Sequence, residues 1–130
     1  MALLQVNDLE IAVAAGGRLL PVVRGVSFDV AENETLGIVG ESGCGKSLTS
    51  LAIMGLLEGS QVRLTAGSIR LDGRELTTMG AKERRAIMGD QMAMIFQEPM
   101  TSLNPVYRVG DQICETLRQH RRMTARQARD

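Results

Sequence analysis

The sequence has few aromatic residues, few cysteines and no long apolar run. Its three aromatics are Phe28, Phe96 and Tyr107, which argues against a nucleic-acid site built from stacked rings. Two cysteines, Cys44 and Cys114, are too few for a disulfide framework or a zinc site, so we expect a reducing, cytoplasmic environment. The apolar runs are far shorter than the roughly 20 residues that a helix needs to cross a bilayer.

Neither positive nor negative charge predominates in the sequence. Fifteen basic and fifteen acidic residues cancel, and the pI is about 6.6, so the chain as a whole has no electrostatic attraction to nucleic acid or anionic lipid. The C-terminal end is locally basic, and we interpret it as a solvated helical surface. Its arginines are Arg118, Arg121, Arg122, Arg126 and Arg129. A chain of 130 residues suits one domain with a real core.

What the sequence does contain is a candidate phosphate-binding loop of the form G-x-x-x-x-G-K-[ST]. An apolar run at residues 35–39 predicts a strand before it, and apolar residues at helical spacing predict a helix after it, with a stop near Leu57 and Gly59. The alternative is a glycine-rich turn that only caps a helix, and the flanking pattern favours the phosphate loop. The loop residues are Gly40, Glu41, Ser42, Gly43, Cys44, Gly45, Lys46 and Ser47.

Each residue type in this loop contributes to phosphate binding in its own way. Glycines let the backbone turn sharply and approach a bulky anion without a Cβ in the way. The N–H groups then point inward at the positive end of the following helix. Lys46 is predicted to contact the β- and γ-phosphates, and Ser47 to offer a hydroxyl to Mg²⁺.

The remaining pattern predicts alternating strands and helices. Turn-rich residues 15–17 separate two predicted strands, Asp72-Gly73 is a strong turn dipeptide, and Asn33 is expected to take a left-handed backbone. A capping box that opens one more helix is predicted at residues 124–127. The predicted strands are 3–13, 22–30, 68–71 and 91–96, and the predicted helices are 81–88 and 109–120.

A second motif follows the predicted strand 91–96. Gln97 comes directly after it and carries a neutral amide that suits a metal ion or a water molecule. Pro99, after Glu98, forces the chain out of the strand. By itself this signal is weak, but some fifty residues after a phosphate loop it is specific.

On these motifs the chain resembles the N-terminal half of the ATP-binding subunits of ABC transporters. The runs LGIVGESGCGKSLTSLAIMGLL and MAMIFQEPMTSLNPVYRVGDQI are similar to those of the oligopeptide, dipeptide and nickel importers. The resemblance implies an α/β P-loop NTPase fold of ABC type. It would contain N-terminal antiparallel strands, part of a parallel core sheet and the start of a helical subdomain, all within one truncated domain, 1–130.

The resemblance also implies a function. ATP and Mg²⁺ would bind at residues 40–47, with Lys46 and Gln97 catalytic and Ser47 and Gln97 at the metal. ATP hydrolysis would drive import of peptides or nickel. The implied partners are transmembrane permease subunits, docked near residues 99–107, and a second ATP-binding subunit in a head-to-tail dimer. No nucleic acid is implied, and the location would be peripheral, at the cytoplasmic face of the inner membrane.

The chain departs from the family pattern in two ways. Val13 and Ala14 stand where the family usually places an aromatic ring under the adenine. The 130 residues also contain no signature motif, Walker B strand, catalytic glutamate or switch histidine. We therefore expect a truncated form in which hydrolysis is doubtful, and a non-catalytic nucleotide-binding module is the alternative. A small P-loop kinase or GTPase is disfavoured, because the guanine motif Asn-Lys-x-Asp is absent.

Overall fold

A long β-hairpin forms the N-terminal part of the chain. The computed structural model describes residues 2–57, 59–98 and 102–130, and divides into two units, Met1–Gly80 and Ala81–Asp130. In the first unit β1 (Ala2–Ala15) pairs antiparallel with β2 (Arg18–Ala31). Gly16 and Gly17 join them with φ of 57° and 74°, the two left-handed residues that a tight hairpin turn requires. The predicted strands and turn are confirmed, and the strands are longer than expected.

A second hairpin completes the sheet on the other side of β1. There β3 (Val62–Leu71) pairs with β1 and with the short β4 (Arg74–Glu75), which gives the antiparallel order β2-β1-β3-β4. Asp72 and Gly73 form its turn with φ of 48° and 73°, as the dipeptide predicted. Asn33 also takes the expected left-handed conformation, with φ of 61°.

The core of the first unit lies on the face of the sheet that contacts α1 (Lys46–Met54). The helix ends earlier than predicted, because Gly55 rather than Gly59 takes the left-handed cap position, with φ of 71°. The N–H of Gly55 donates to the Ala52 carbonyl at 3.0 Å and that of Leu56 to Leu51 at 2.9 Å, which satisfies the last carbonyls of the helix. The fully buried side chains are Val6, Leu9, Ile11, Ile69 and Leu76.

The second unit contains α2 (Ala81–Ile87) and α3 (Val109–Arg121), close to the predicted helices. Gly89, with φ of 85°, lies so close to α3 that a Cβ there would come within 2.8 Å of Nε2 of His120. Arg121 pairs with Asp90 at 3.7 Å. The end of α3 therefore rests on the turn that follows α2. No helix in the described ranges is long and apolar enough to span a membrane.

The capping box predicted at residues 124–127 is present. The N–H of Thr124 donates to Oε1 of Gln127 at 3.0 Å, and the N–H of Gln127 donates to Oγ1 of Thr124 at 3.3 Å. The two orphan donors are satisfied reciprocally, as the motif requires. Residues 125–129 form turns rather than a regular helix.

The α/β class, the antiparallel N-terminal strands and a helical segment agree with the predicted fold, but the parallel core strands are not formed. Residues 35–39 and 91–96 lie outside strands, apart from an isolated parallel bridge between Met88 and Met92. A strand is stabilised by the ladder to its neighbour, and the described residues supply no such ladder here. Val39 and Ile95 are accordingly 93% and 96% exposed.

Candidate phosphate-binding site

The candidate phosphate loop connects β2 to α1 and is anchored on β2. Gly45 immediately precedes the helix, is buried and has φ of 96°. A Cβ at this position would lie 2.6 Å from Cγ2 of Val23 on β2. The start of α1 therefore packs on the strand at a distance that only glycine permits.

The loop closes on itself through its glycines. Gly43 has φ of 82°, and a Cβ on Gly40 would approach Sγ of Cys44 to 2.6 Å. The N–H of Cys44 donates to the carbonyl of Glu41 at 3.3 Å. The backbone is thus turned around a small concave space at the N-terminus of a helix, where N–H groups and the helix dipole favour an anion.

Lys46 lies within this loop. Its Nζ donates to the carbonyl oxygens of Gly40 at 2.6 Å and Glu41 at 2.7 Å, and approaches Sγ of Cys44 at 3.4 Å. An ammonium has three donors and no acceptor. Two donors are therefore used on the backbone, and the third faces sulfur, which is a weak acceptor. The sequence predicted the lysine but not these partners.

Thr49 is a structural part of the site that the sequence interpretation missed. Its side chain is buried, and both its Oγ1 and its N–H donate to the carbonyl of Gly45, at 3.0 and 2.9 Å. Of the apolar residues at helical spacing, Ala52 and Met54 are buried, whereas Leu48 and Leu51 are only half-buried. The available signal was a hydroxyl residue four positions after the loop glycine, where it can bond back to the helix start.

Ser47 fits the predicted metal role chemically. It is exposed on the first turn of α1, directly after Lys46. A hydroxyl is a hard neutral oxygen of the kind that Mg²⁺ accepts beside phosphate oxygens and waters. The described residues contain no group of three or more His, Cys, Asp or Glu side chains that could hold a metal by themselves. A metal here would depend on the phosphates as well as on Ser47.

An apolar cleft of about 540 Å³ borders the phosphate loop. One wall is β2, including Val26 and Phe28, and the other is the segment 36–39. Lys46 and Thr49 line the end where the cleft meets the loop. The site therefore combines a cationic loop with an adjoining apolar surface.

Gln97 lies in the second unit and is exposed. That Gln97 acts at the metal and phosphates bound by the loop remains a prediction. Part of the predicted docking segment, residues 99–101, lies outside the described residues. Within the described part, Val106 and Tyr107 are 84% and 65% exposed.

Val13, where an aromatic was expected, lies in the central strand of the sheet. It pairs with Leu20 on β2 and with Val62 on β3. Ala14 continues the strand and pairs with Leu19.

Comparison with known proteins places this geometry in a family context. Residues 23–130 match the family model described as ABC transporter. The chain is 47% identical, over 97% of its length, to the dipeptide transport ATP-binding protein DppD of Bacillus subtilis. It is 46% identical, over 98% of its length, to the oligopeptide transport ATP-binding protein AppD of the same organism.

A third relative is the glutathione import ATP-binding protein GsiA of Pectobacterium atrosepticum, 48% identical over 96% of this chain. The chain spans only part of each relative: 38% of the dipeptide protein, 39% of the oligopeptide protein and 21% of the glutathione protein. The matched part includes the phosphate loop and the Gln97 segment.

Proposed function

The chain belongs to the ABC transporter family, and on that premise we propose that it forms the phosphate-binding part of the ATP site of a peptide importer. The observation that supports this most is the position of Lys46. Its ammonium lies inside a closed glycine loop, at the start of a helix, 2.6 Å from the Gly40 carbonyl. A lysine that follows a glycine-rich loop at the start of a helix is the arrangement by which a P-loop reaches the β- and γ-phosphates.

The loop suggests how the phosphates are taken up. The third Nζ donor of Lys46 faces the sulfur of Cys44 at 3.4 Å, and a phosphate oxygen is the far stronger acceptor. An incoming phosphate displaces this weak contact while the two carbonyl contacts hold the ammonium in place. The lysine is therefore positioned before the nucleotide arrives, which lowers the entropy cost of binding.

Ser47 and Gln97 are the residues that we propose to hold Mg²⁺, and Gln97 also to contact the attacking water. The bound metal would neutralise charge on the phosphates during transfer. For hydrolysis the family needs further elements that these 130 residues do not contain. Nucleotide binding without turnover is therefore the second candidate for the chain by itself.

The names of the relatives support a transport role. Two of them are named for dipeptide and oligopeptide transport and one for glutathione import, so we propose peptides as the cargo class; nickel is supported only by the sequence resemblance. The proposed partners are permease subunits and a second ATP-binding subunit arranged head to tail. The proposed location is the cytoplasmic face of the membrane, and the exposed Val106 and Tyr107 are the proposed docking surface.

The proposal is tested by replacing Lys46. We expect Lys46→Ala to weaken ATP binding by at least tenfold, since a charge-assisted hydrogen bond contributes about 1.5–3 kcal/mol and about 1.4 kcal/mol is one decade in affinity. Binding is measured by titration calorimetry. The matched control is Lys82→Ala, which removes the other lysine of the chain, exposed on α2.

Equal affinities of the wild-type chain and Lys46→Ala would contradict the proposed site. Phosphate release is measured on the same samples. ATP binding without release would favour the non-catalytic module, whereas steady turnover would show that the chain by itself is an ATPase.

A further inference from the structure

The side chain of Gln112 ties the loop before α3 to the helix. Its Oε1 accepts a hydrogen bond from the N–H of Asn104 at 2.8 Å. Its Nε2 donates to the carbonyls of Asn104 at 2.9 Å and Tyr107 at 3.0 Å. The acceptor and both donors of the amide are thus used on the backbone of a four-residue segment.

The same segment has little else to hold it. Val106 and Tyr107 point their side chains largely into solvent. Two further bonds lie within the segment itself. The N–H of Val106 donates to Oδ1 of Asn104 at 3.0 Å, and the N–H of Tyr107 donates to the carbonyl of Asn104 at 3.3 Å. Exposed backbone without packing normally opens readily, so the Gln112 amide is the main restraint that ties residues 104–107 to the helix.

The restrained segment continues an apolar surface on α3. Val109 and Ile113 are 53% and 57% exposed, and their four-residue spacing places them on one face of the helix. Val106 and Tyr107 are also exposed and lie shortly before the helix start in the sequence. Exposed aliphatic and aromatic side chains in one patch are typical of protein contact surfaces.

We propose that Gln112 is a positioning residue, which holds residues 104–107 in the conformation that presents Val106 and Tyr107 to an apolar segment of the permease. The inference rests on the proposed function for the identity of the partner. Gln112 itself does not need to contact the permease. Its contribution is to fix the backbone before docking, so that binding does not carry the entropy cost of ordering the segment.

The first experiment measures the restraint in the chain itself. Gln112→Glu keeps an acceptor for the Asn104 N–H but places a carboxylate oxygen against the carbonyls of Asn104 and Tyr107. We expect exchange of the Asn104 and Val106 amide hydrogens, followed by mass spectrometry with residue-level fragmentation, to accelerate at least tenfold. The melting temperature should change little, because a negative charge in the first turns of a helix is favourable.

The matched control is Gln119→Glu, the same change at an exposed position of the same helix, which should leave exchange at residues 104 and 106 unaltered. Unchanged exchange in Gln112→Glu would overturn the positioning role, whatever its effect on binding.

The second experiment measures docking. The probe is a set of proteoliposomes that hold the permease subunits of the Bacillus subtilis dipeptide transporter, with protein-free liposomes as the blank. We expect Gln112→Glu to bind at least fivefold more weakly than the wild-type chain, and Gln119→Glu to bind as the wild type does. Val106→Asp, in the presented surface, should bind most weakly.

If the wild-type chain binds and Gln112→Glu binds equally well despite faster exchange, the positioning proposal is wrong while the proposed function stands. The wild-type chain could instead bind ATP in a way that depends on Lys46 and yet fail to bind the permease vesicles. That result would contradict both the proposed docking and the positioning role of Gln112, and it would leave the proposed nucleotide site supported.

Discussion

The conformation of the phosphate loop depends on the absence of a Cβ atom at Gly45. Its φ of 96° is a conformation that residues with a Cβ rarely adopt. In addition, Cγ2 of Val23 lies where that Cβ would be, at 2.6 Å. The residue type is therefore required twice, once by the backbone and once by packing on β2.

We expect Gly45→Ala to lower the free energy of unfolding more than Gly43→Ala does. Gly43 has φ of 82°, but a Cβ there would meet nothing within 4 Å, so its cost is that of the backbone, about 1–2 kcal/mol. Gly45→Ala adds overpacking of about 1–3 kcal/mol. Denaturant unfolding of both variants provides the measurement.

A third variant separates the contact between residue 45 and Val23 from the strain of the backbone. Val23→Ala should recover part of the stability lost in Gly45→Ala and should not help Gly43→Ala. Equal losses in the two glycine variants would show that the approach to Val23 is not tight in solution.

Among the elements, the two hairpins were predictable and the core strands were not. Gly16-Gly17 and Asp72-Gly73 take left-handed turns because of their own residue types, so a local sequence pattern was sufficient. The strand predicted at 91–96 depends instead on a neighbouring strand to complete its hydrogen bonds. Periodicity indicates that a segment suits a strand, but it does not show that a partner is present.

The candidate site also has a part that the sequence predicted and a part that it did not. The motif predicted which residues form the loop, because a phosphate requires glycines, a lysine and a hydroxyl at fixed spacing. It did not predict that Gly45 packs on Val23, or that Thr49 bonds back to the loop. Those contacts join parts of the chain whose approach is set by the tertiary fold.

The β3–β4 hairpin carries a carboxylate that should make its stability depend on pH. Partial burial acts to raise the pKa of Glu75, but hydrogen bonds from Thr77, Arg70 and the N–H groups of Ile69 and Thr77 outweigh it and lower the pKa below its ordinary value. A lowered carboxyl pKa stabilises the fold above the unfolded pKa, and this stabilisation is lost as the pH falls through the folded value.

We expect Glu75→Gln to cost about 1 kcal/mol at neutral pH, since it removes a charge-assisted contact with Arg70 at 3.1 Å. The difference from wild type should shrink as the pH is lowered below about 4. Denaturant unfolding between pH 3 and pH 7 checks this, with Glu10→Gln, an exposed carboxylate on β1, as the control. A difference that is constant with pH would contradict the assignment.

At the scale of the molecule, several large aliphatic side chains of the described residues are almost fully exposed. Val39, Ile95 and Val106 are each more than 80% exposed, and two of them lie in segments that suit strands but are unpaired. Such segments are templates for pairing with another copy. Exposed apolar segments of this kind make the chain prone to self-association.

We therefore expect the isolated chain to form concentration-dependent oligomers in size-exclusion chromatography with light scattering. Ile95→Lys should shift the distribution towards monomer, and Arg126→Lys, a change within the exposed basic end, should not. A wild-type sample that stays monomeric and melts cooperatively would contradict this expectation.

The contact of His120 with Gly89 links two segments that are far apart in the sequence. Nε2 of the imidazole lies 2.8 Å from where a Cβ on Gly89 would be, and Gly89 already has a left-handed backbone with φ of 85°. A side chain at residue 89 would therefore strain the turn after α2 and also push on the last turn of α3. A mutation at this glycine is thus expected to disturb a helix to which the glycine does not belong.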